Sequence, residues 1–163
     1  MATETWQDNV HIRTGTTPMV QHTTETLALA MGRVLFGGFF VYSGLHHFIS
    51  LHELASFAAA KGTPLPELAV AGSGAMVLVG GLSVLTGVFP RVGAALIILF
   101  LVGVTPAMHN FWAEQGPMRV ADMGNFFKNV ALIGGACVAA ALPTPWPSVF
   151  GHHRAEHPPA SIP

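Results

Sequence analysis

The chain has 163 residues, of which 51% are hydrophobic and 9% are charged, and its mean hydropathy is +0.52. A soluble domain carries about 25% charged residues, so this chain cannot cover a water-facing surface, and an apolar exterior is favourable against lipid. A formal net charge of −1 gives no basic surface for nucleic acid, and one cysteine, Cys137, excludes an intrachain disulfide and a thiolate cluster for zinc or iron–sulfur.

In chain order, residues 1–25 form a polar N-terminal segment with Glu4, Asp8, Arg13 and Glu25. A secretory signal would place a shorter apolar stretch nearer the start, so the sequence predicts no cleaved leader and a first span that stays in the mature chain. Crossing the hydrocarbon core takes about 20 apolar residues. Four stretches qualify, at about 26–49, 66–88, 92–112 and 122–142. Between the first two, Leu51, Leu54, Ala55 and Ala58 share one helical face and Gly62 can stop the turn, which predicts a short interfacial helix. Pro90 suits the start of the third span. Gly116-Pro117 is a breaker pair, read as part of a loop. Cys137 is read as a small buried residue within the fourth span. Residues 143–163 are rich in Pro and His, including His152, His153 and His157, and are read as a polar tail.

The fold class predicted is all-α: an integral membrane four-helix up-down bundle with both termini on one side. The terminal side carries Arg13, Arg91 and Arg154, with Arg33 close to it, against Lys61, Arg119 and Lys128 on the other. The positive-inside rule then favours cytoplasmic termini. Small residues recur at helical spacing: Gly80, Ser83 and Gly87 in the second span, Gly103 and Ala107 in the third, Ala131 and Gly135 in the fourth. They predict close helix–helix approach.

Ionisable groups inside a span cost about 2.5 to 3.5 kcal/mol at its centre, so their placement is informative. His46 and His47 end the first span and Glu67 begins the second. His109, Asn110 and Trp112 end the third, and Asn125, Lys128 and Asn129 begin the fourth. In an up-down bundle all of these lie at the end away from the termini. Three readings are open. They mark the headgroup level, or they line a pocket for a small ligand such as a quinone ring or lipid headgroup. In the third, His46 or His47 faces His109 across a haem, which no other feature demands. No other metal site is suggested. Arg33 is expected to pair inside the bundle or snorkel, or else to contact a partner subunit or lipid phosphate. Trp6, Trp146 and Phe150 are the best anchors for the tails, which hold too few large apolar residues to form a core of their own.

The run Arg33-Val-Leu-Phe-Gly-Gly-Phe-Phe-Val-Tyr-Ser-Gly-Leu-His-His-Phe resembles the first span of the DoxX family. The likeness continues through Ala60-Lys-Gly-Thr-Pro-Leu-Pro-Glu, Gly80-Gly-Leu-Ser-Val-Leu-Thr-Gly, Met108-His-Asn-Phe-Trp and Asn125-Phe-Phe-Lys-Asn-Val-Ala-Leu-Ile-Gly-Gly, in order, over residues 27 to 142. The resemblance implies a four-helix protein of the bacterial inner membrane. Its relative DoxD is a subunit of a thiosulfate:quinone oxidoreductase, which implies a link to electron transfer. The function expected is therefore a non-catalytic accessory subunit of a larger membrane complex. The alternatives are a quinone-linked component with a pocket at the polar end, and a small transporter or lipid-binding protein. No phosphate loop, nucleophile–base set or dinucleotide motif is present.

Overall fold

The computed structural model describes residues 18–144 and Trp146, with side chains from Thr24 onward. Five α-helices follow one another: α1 (Pro18–Ile49), α2 (Leu51–Ala60), α3 (Pro66–Thr86), α4 (Pro90–Met108) and α5 (Gly116–Ala141), with a 3-10 turn over Phe111–Ala113. There is no strand among the described residues. Residues up to Met31, which hold the start of α1, form one unit, and residues from Gly32 form a second. The buried core and the packed helix faces belong to the second unit.

α1, α3, α4 and α5 are each long and apolar enough to cross a membrane, the first from Thr24 and the third counted to Ala113. The fold is an all-α membrane bundle. Proline opens α3, α4 and α5 at the first or second helical position, where its missing N–H costs no intrahelical bond. The fourth span therefore starts at Gly116 and not near Asp122. Gly116 takes a positive φ of 58°, and Pro117 begins the helix behind it, so the breaker pair initiates α5. α4 ends at Met108, two residues after the internal Pro106, which leaves Asn110 and Trp112 in the connection beyond it.

Glycine brings α1 and α3 into backbone contact. A Cβ added at Gly37 would lie 2.8 Å from Leu85 N, one at Gly44 2.7 Å from Leu78 Cα, and one at Gly74 2.6 Å from His47 Cβ. As the α1 partner advances from 37 to 44 to 47, the α3 partner retreats from 85 to 78 to 74, so the two helices are antiparallel. From the facing helix, Gly81 meets Val41 N in the same way. α3 then packs on α4 through Gly80, Ser83 and Gly93, and Gly135 of α5 meets the Phe36 ring of α1. Phe40, Val77, Val84, Ile97 and Leu101 are the largest fully buried side chains. Gly103 departs from the close-packing expectation, since nothing lies within 4 Å of its Cβ position. Cys137 also departs from expectation: it is exposed on α5.

α2 lays Ala55 and Ala58, with Leu51 and Leu54, against Val70 and Met108. It ends in a Schellman turn: Thr63 N–H donates to Ala58 O and Gly62 N–H to Ala59 O, both at 2.9 Å, with Gly62 at φ 81°. This puts Lys61 at the last helical corner, aimed across the bundle end. A Gly62→Ala variant should cost about 1 kcal/mol through the left-handed backbone and lower the melting temperature, as circular dichroism in detergent would show.

Arg33, expected to pair inside the bundle or else to contact a partner or lipid, and Trp146, expected as an anchor against a partner, both lie inside this chain's own core, 8% and 5% exposed. Arg33 Nη2–H donates to Leu85 O at 3.0 Å, a carbonyl of the last turn of α3, where the helix dipole also favours a cation. Its guanidinium carbon stands 5.9 Å from the Trp146 ring centroid. Trp146 therefore folds back on the bundle and is no free anchor. Trp6 and Phe150 lie outside the described residues.

Candidate functional site

At the end away from Arg33, the helices separate around a cavity of about 480 Å³. α1 contributes Phe39, Phe40, Ser43 and His47, and α2 covers it with Leu54, Phe57 and Ala58. α3, α4 and α5 supply the remaining walls, with Thr63 and His109 from the connections after α2 and α4. On α4, Gly103 and Ala107 present no bulk, and this is the space that the absent side chains leave. The walls are mainly aliphatic and aromatic. The polar groups are few: Ser43, His47, Thr63, Ser73, His109, Lys128 and Asn129.

The site residues expected from the sequence separate into those the cavity gathers and those it leaves out. His47, His109, Lys128 and Asn129 line it together. His47 is held from both sides, since Gly74 packs on its Cβ and its ring meets Phe100 edge-on at 5.7 Å. Its Nδ1 lies 2.7 Å from Ser43 O, one turn back. Asn129 is 7% exposed. Lys128 Nζ donates to Asn125 Oδ1 at 2.9 Å in an exposed contact, and Asn125 itself does not line the cavity. His46, Glu67, Trp112 and Asn110 do not line it. His46 is exposed and contacts Ser50 and Tyr42. Glu67 faces His52 at 3.5 Å with both side chains largely in the open. Trp112 joins Phe111 and Phe126 in an edge-to-face cluster and is itself exposed, which suits the headgroup level. Of the two histidines weighed as partners of His109, His47 lines the cavity with it and His46 does not.

Asn110 belongs to a second feature, which the sequence reading missed. Lys61 Nζ donates to Glu114 Oε1 at 2.7 Å, Asn110 Oδ1 at 2.9 Å and Asp122 Oδ2 at 3.1 Å. Asp122 Oδ1 lies 3.2 Å from His109 Nδ1. The Lys61 and Asp122 side chains are 11% and 12% exposed. The Glu114 hydrogen bond, helped by Asp122, holds the Lys61 ammonium above its ordinary pKa against the opposing effect of burial. The network clamps the end of α2 to the connection before α5 and to α5 itself. It also reaches the cavity, because His109 belongs to both. Lys61, Glu114 and Asp122 were legible as isolated charges in a chain with few of them. Nothing in their spacing says that they meet. Among the described residues, no group of three His, Cys, Asp or Glu side chains is placed to hold a metal ion.

Residues 28–110 match the DoxX family model. The chain is also similar to a protein of Escherichia coli (strain K12) described as inner membrane protein YphA, with 27% identity over 112 residues, 69% of this chain and 80% of that one. No solved structure matches. The family match runs from the first span, through the glycine contacts of α1 with α3, to the His109 side of the cavity, and the chain belongs to the DoxX family.

Proposed function

We propose that this chain is a non-catalytic subunit of an electron-transfer complex in the bacterial inner membrane, and that its cavity takes a small amphipathic ring of the quinone class. The observation that carries the reading is the cavity itself: apolar walls sized for a small molecule, with a few polar side chains converging from α1, α3, α5 and the connections after α2 and α4. The membrane assignment draws on the four spans and on the similarity to an inner membrane protein. The accessory, electron-transfer role draws on the family resemblance. Cytoplasmic termini follow from the positive-inside count and would turn the cavity end away from the cytoplasm.

The test is gentle purification from native membranes, solvent extraction of the protein, and mass spectrometry with an absorbance spectrum. A quinone-type ring near stoichiometric amount, with redox subunits co-purifying, is the expected result. A Gly103→Leu variant should intrude on the cavity from a wall where an added Cβ meets nothing within 4 Å. It should lose the bound ring about tenfold or more while its melting temperature stays within a few degrees of wild type. A ring retained equally by both proteins would place the ligand elsewhere. A haem Soret band, or no extractable ligand, would remove the quinone reading.

A further inference from the structure

The polar groups of the cavity have a donor–acceptor sense that selects among amphipathic rings. A neutral imidazole has one nitrogen that donates and one that accepts, and the partner of the first decides the role of the second. A backbone carbonyl can accept only. His47 Nδ1 at 2.7 Å from Ser43 O therefore carries the proton, and Nε2 presents a lone pair. Ser43 is one turn back on the same helix, so this tautomer is set locally, before any ligand arrives. His109 Nδ1 faces Asp122 Oδ1 at 3.2 Å, and the other carboxylate oxygen accepts from the Lys61 ammonium at 3.1 Å. A carboxylate held by an ammonium accepts, so His109 Nδ1 carries the proton and its Nε2 presents a second lone pair. Both rings line the cavity. Among the described residues neither Nε2 has a hydrogen-bond partner, and neither is a sealed atom. Asn129, 7% exposed and lining the same space, makes no side-chain hydrogen bond among the described residues either.

We propose that the cavity selects a ligand head that donates hydrogen bonds, a phenol or quinol hydroxyl, over an acceptor-only head of the same shape, a quinone carbonyl or aryl ether. This rests on the proposed quinone-class ligand and deepens it. A ring hydroxyl donates to an imidazole Nε2, and its oxygen can accept from the Asn129 amide or from Lys128. A quinone carbonyl satisfies the amide and the ammonium but sets its lone pairs against those of the imidazoles. The imidazole acceptors, covered by the bound ring, are then left without a donor, which is the costly outcome for a polar group. Lys61 and Asp122 act here as positioning residues, because they hold the His109 tautomer without touching the ligand.

The experiment uses the full chain in nanodiscs, without oxygen. Three probes are titrated by calorimetry: a short-chain benzoquinone, its quinol, and the dimethyl ether of that quinol. The quinol is expected to bind about 5- to 30-fold more tightly than either of the others, the equivalent of one or two net hydrogen bonds. His47→Phe keeps the Cβ against Gly74 and a ring against Phe100, and removes one lone pair. It should shrink the quinol advantage over the benzoquinone about fivefold. The comparison in the wild-type protein stands without any variant. Benzoquinone bound as tightly as quinol would overturn the selectivity and leave the ligand-binding reading in place. Quinol and ether bound alike would overturn it too, because the O–H would not be read. No binding of any probe would remove both.

Discussion

Replacing Gly44 by alanine should lower the thermal stability of the purified protein far more than the same change at Gly38, six residues earlier on α1. A Cβ at Gly44 would stand 2.6 Å from Leu78 Cβ, 2.7 Å from its Cα and 2.8 Å from its N. Two of these are backbone atoms, which cannot step aside as the end of a flexible side chain can. The helices must separate, and the contacts at Gly37, Gly74 and Gly81 loosen with them. Overpacking of this kind costs about 1 to 3 kcal/mol and sometimes more, and in lipid there is no hydrophobic effect between helices to offset it. At Gly38 nothing lies within 4 Å of the added carbon, and alanine there should be neutral or raise stability by about 0.5 to 1 kcal/mol through helix propensity. Thermal melts in one detergent compare the two. Because His47 sits one turn beyond Gly44 on the same stripe, Gly44→Ala should also weaken ligand retention, whereas Gly38→Ala should not. Equal melting temperatures would mean that the α1–α3 approach is looser than described.

Lys61→Met should be the most damaging single change outside the spans. The one ammonium pairs with both Glu114 and Asp122, and it and Asp122 are largely covered. Removing one member of a buried ion pair leaves the other charge uncompensated, at about 3 to 5 kcal/mol. Glu114 is 27% exposed and partly solvated, so most of the loss falls on Asp122. A Lys61→Met/Asp122→Asn double variant should therefore melt above the single variant. A double variant no better than the single one would show that the pair is not coupled. The pH response has a definite sign. The folded-state pKa of Lys61 is raised above 10.5, so its contribution is complete below that value. It is lost only as pH rises through the higher folded value. Wild-type protein should show no change from this source across the neutral range, and should lose stability in strongly alkaline solution. The Lys61→Met variant should lack that alkaline step.

The membrane class, the number of spans and the polar end of the bundle were legible in the sequence because each depends on local composition. A run of about 20 apolar residues has one solvent it can face, short connections force antiparallel neighbours, and the up-down order then sorts His47, His109, Lys128 and Asn129 to one level. Helix starts were legible where proline marks them, as at Pro90. They were misread at Gly116-Pro117, because a breaker pair looks the same whether it sits in a loop or opens a helix.

Rotation and encounter were decided by the tertiary structure alone. His46 and His47 are neighbours in sequence, yet one residue turns a helix by about 100°, so one ring lines the cavity and the other does not. Gly44 and Gly103 are the same residue, each within an apolar membrane span. The first meets a backbone and the second an open space, because helix spacing is set by the facing chain. Lys61 lies 53 residues from Glu114 and 61 from Asp122, separations that carry no periodic signal. Their meeting depends on the Gly62 turn that aims the lysine and on α5 beginning early enough to bring Asp122 beneath it. The sequence contains the charges; the packing of glycine against backbone decides which of them share a site.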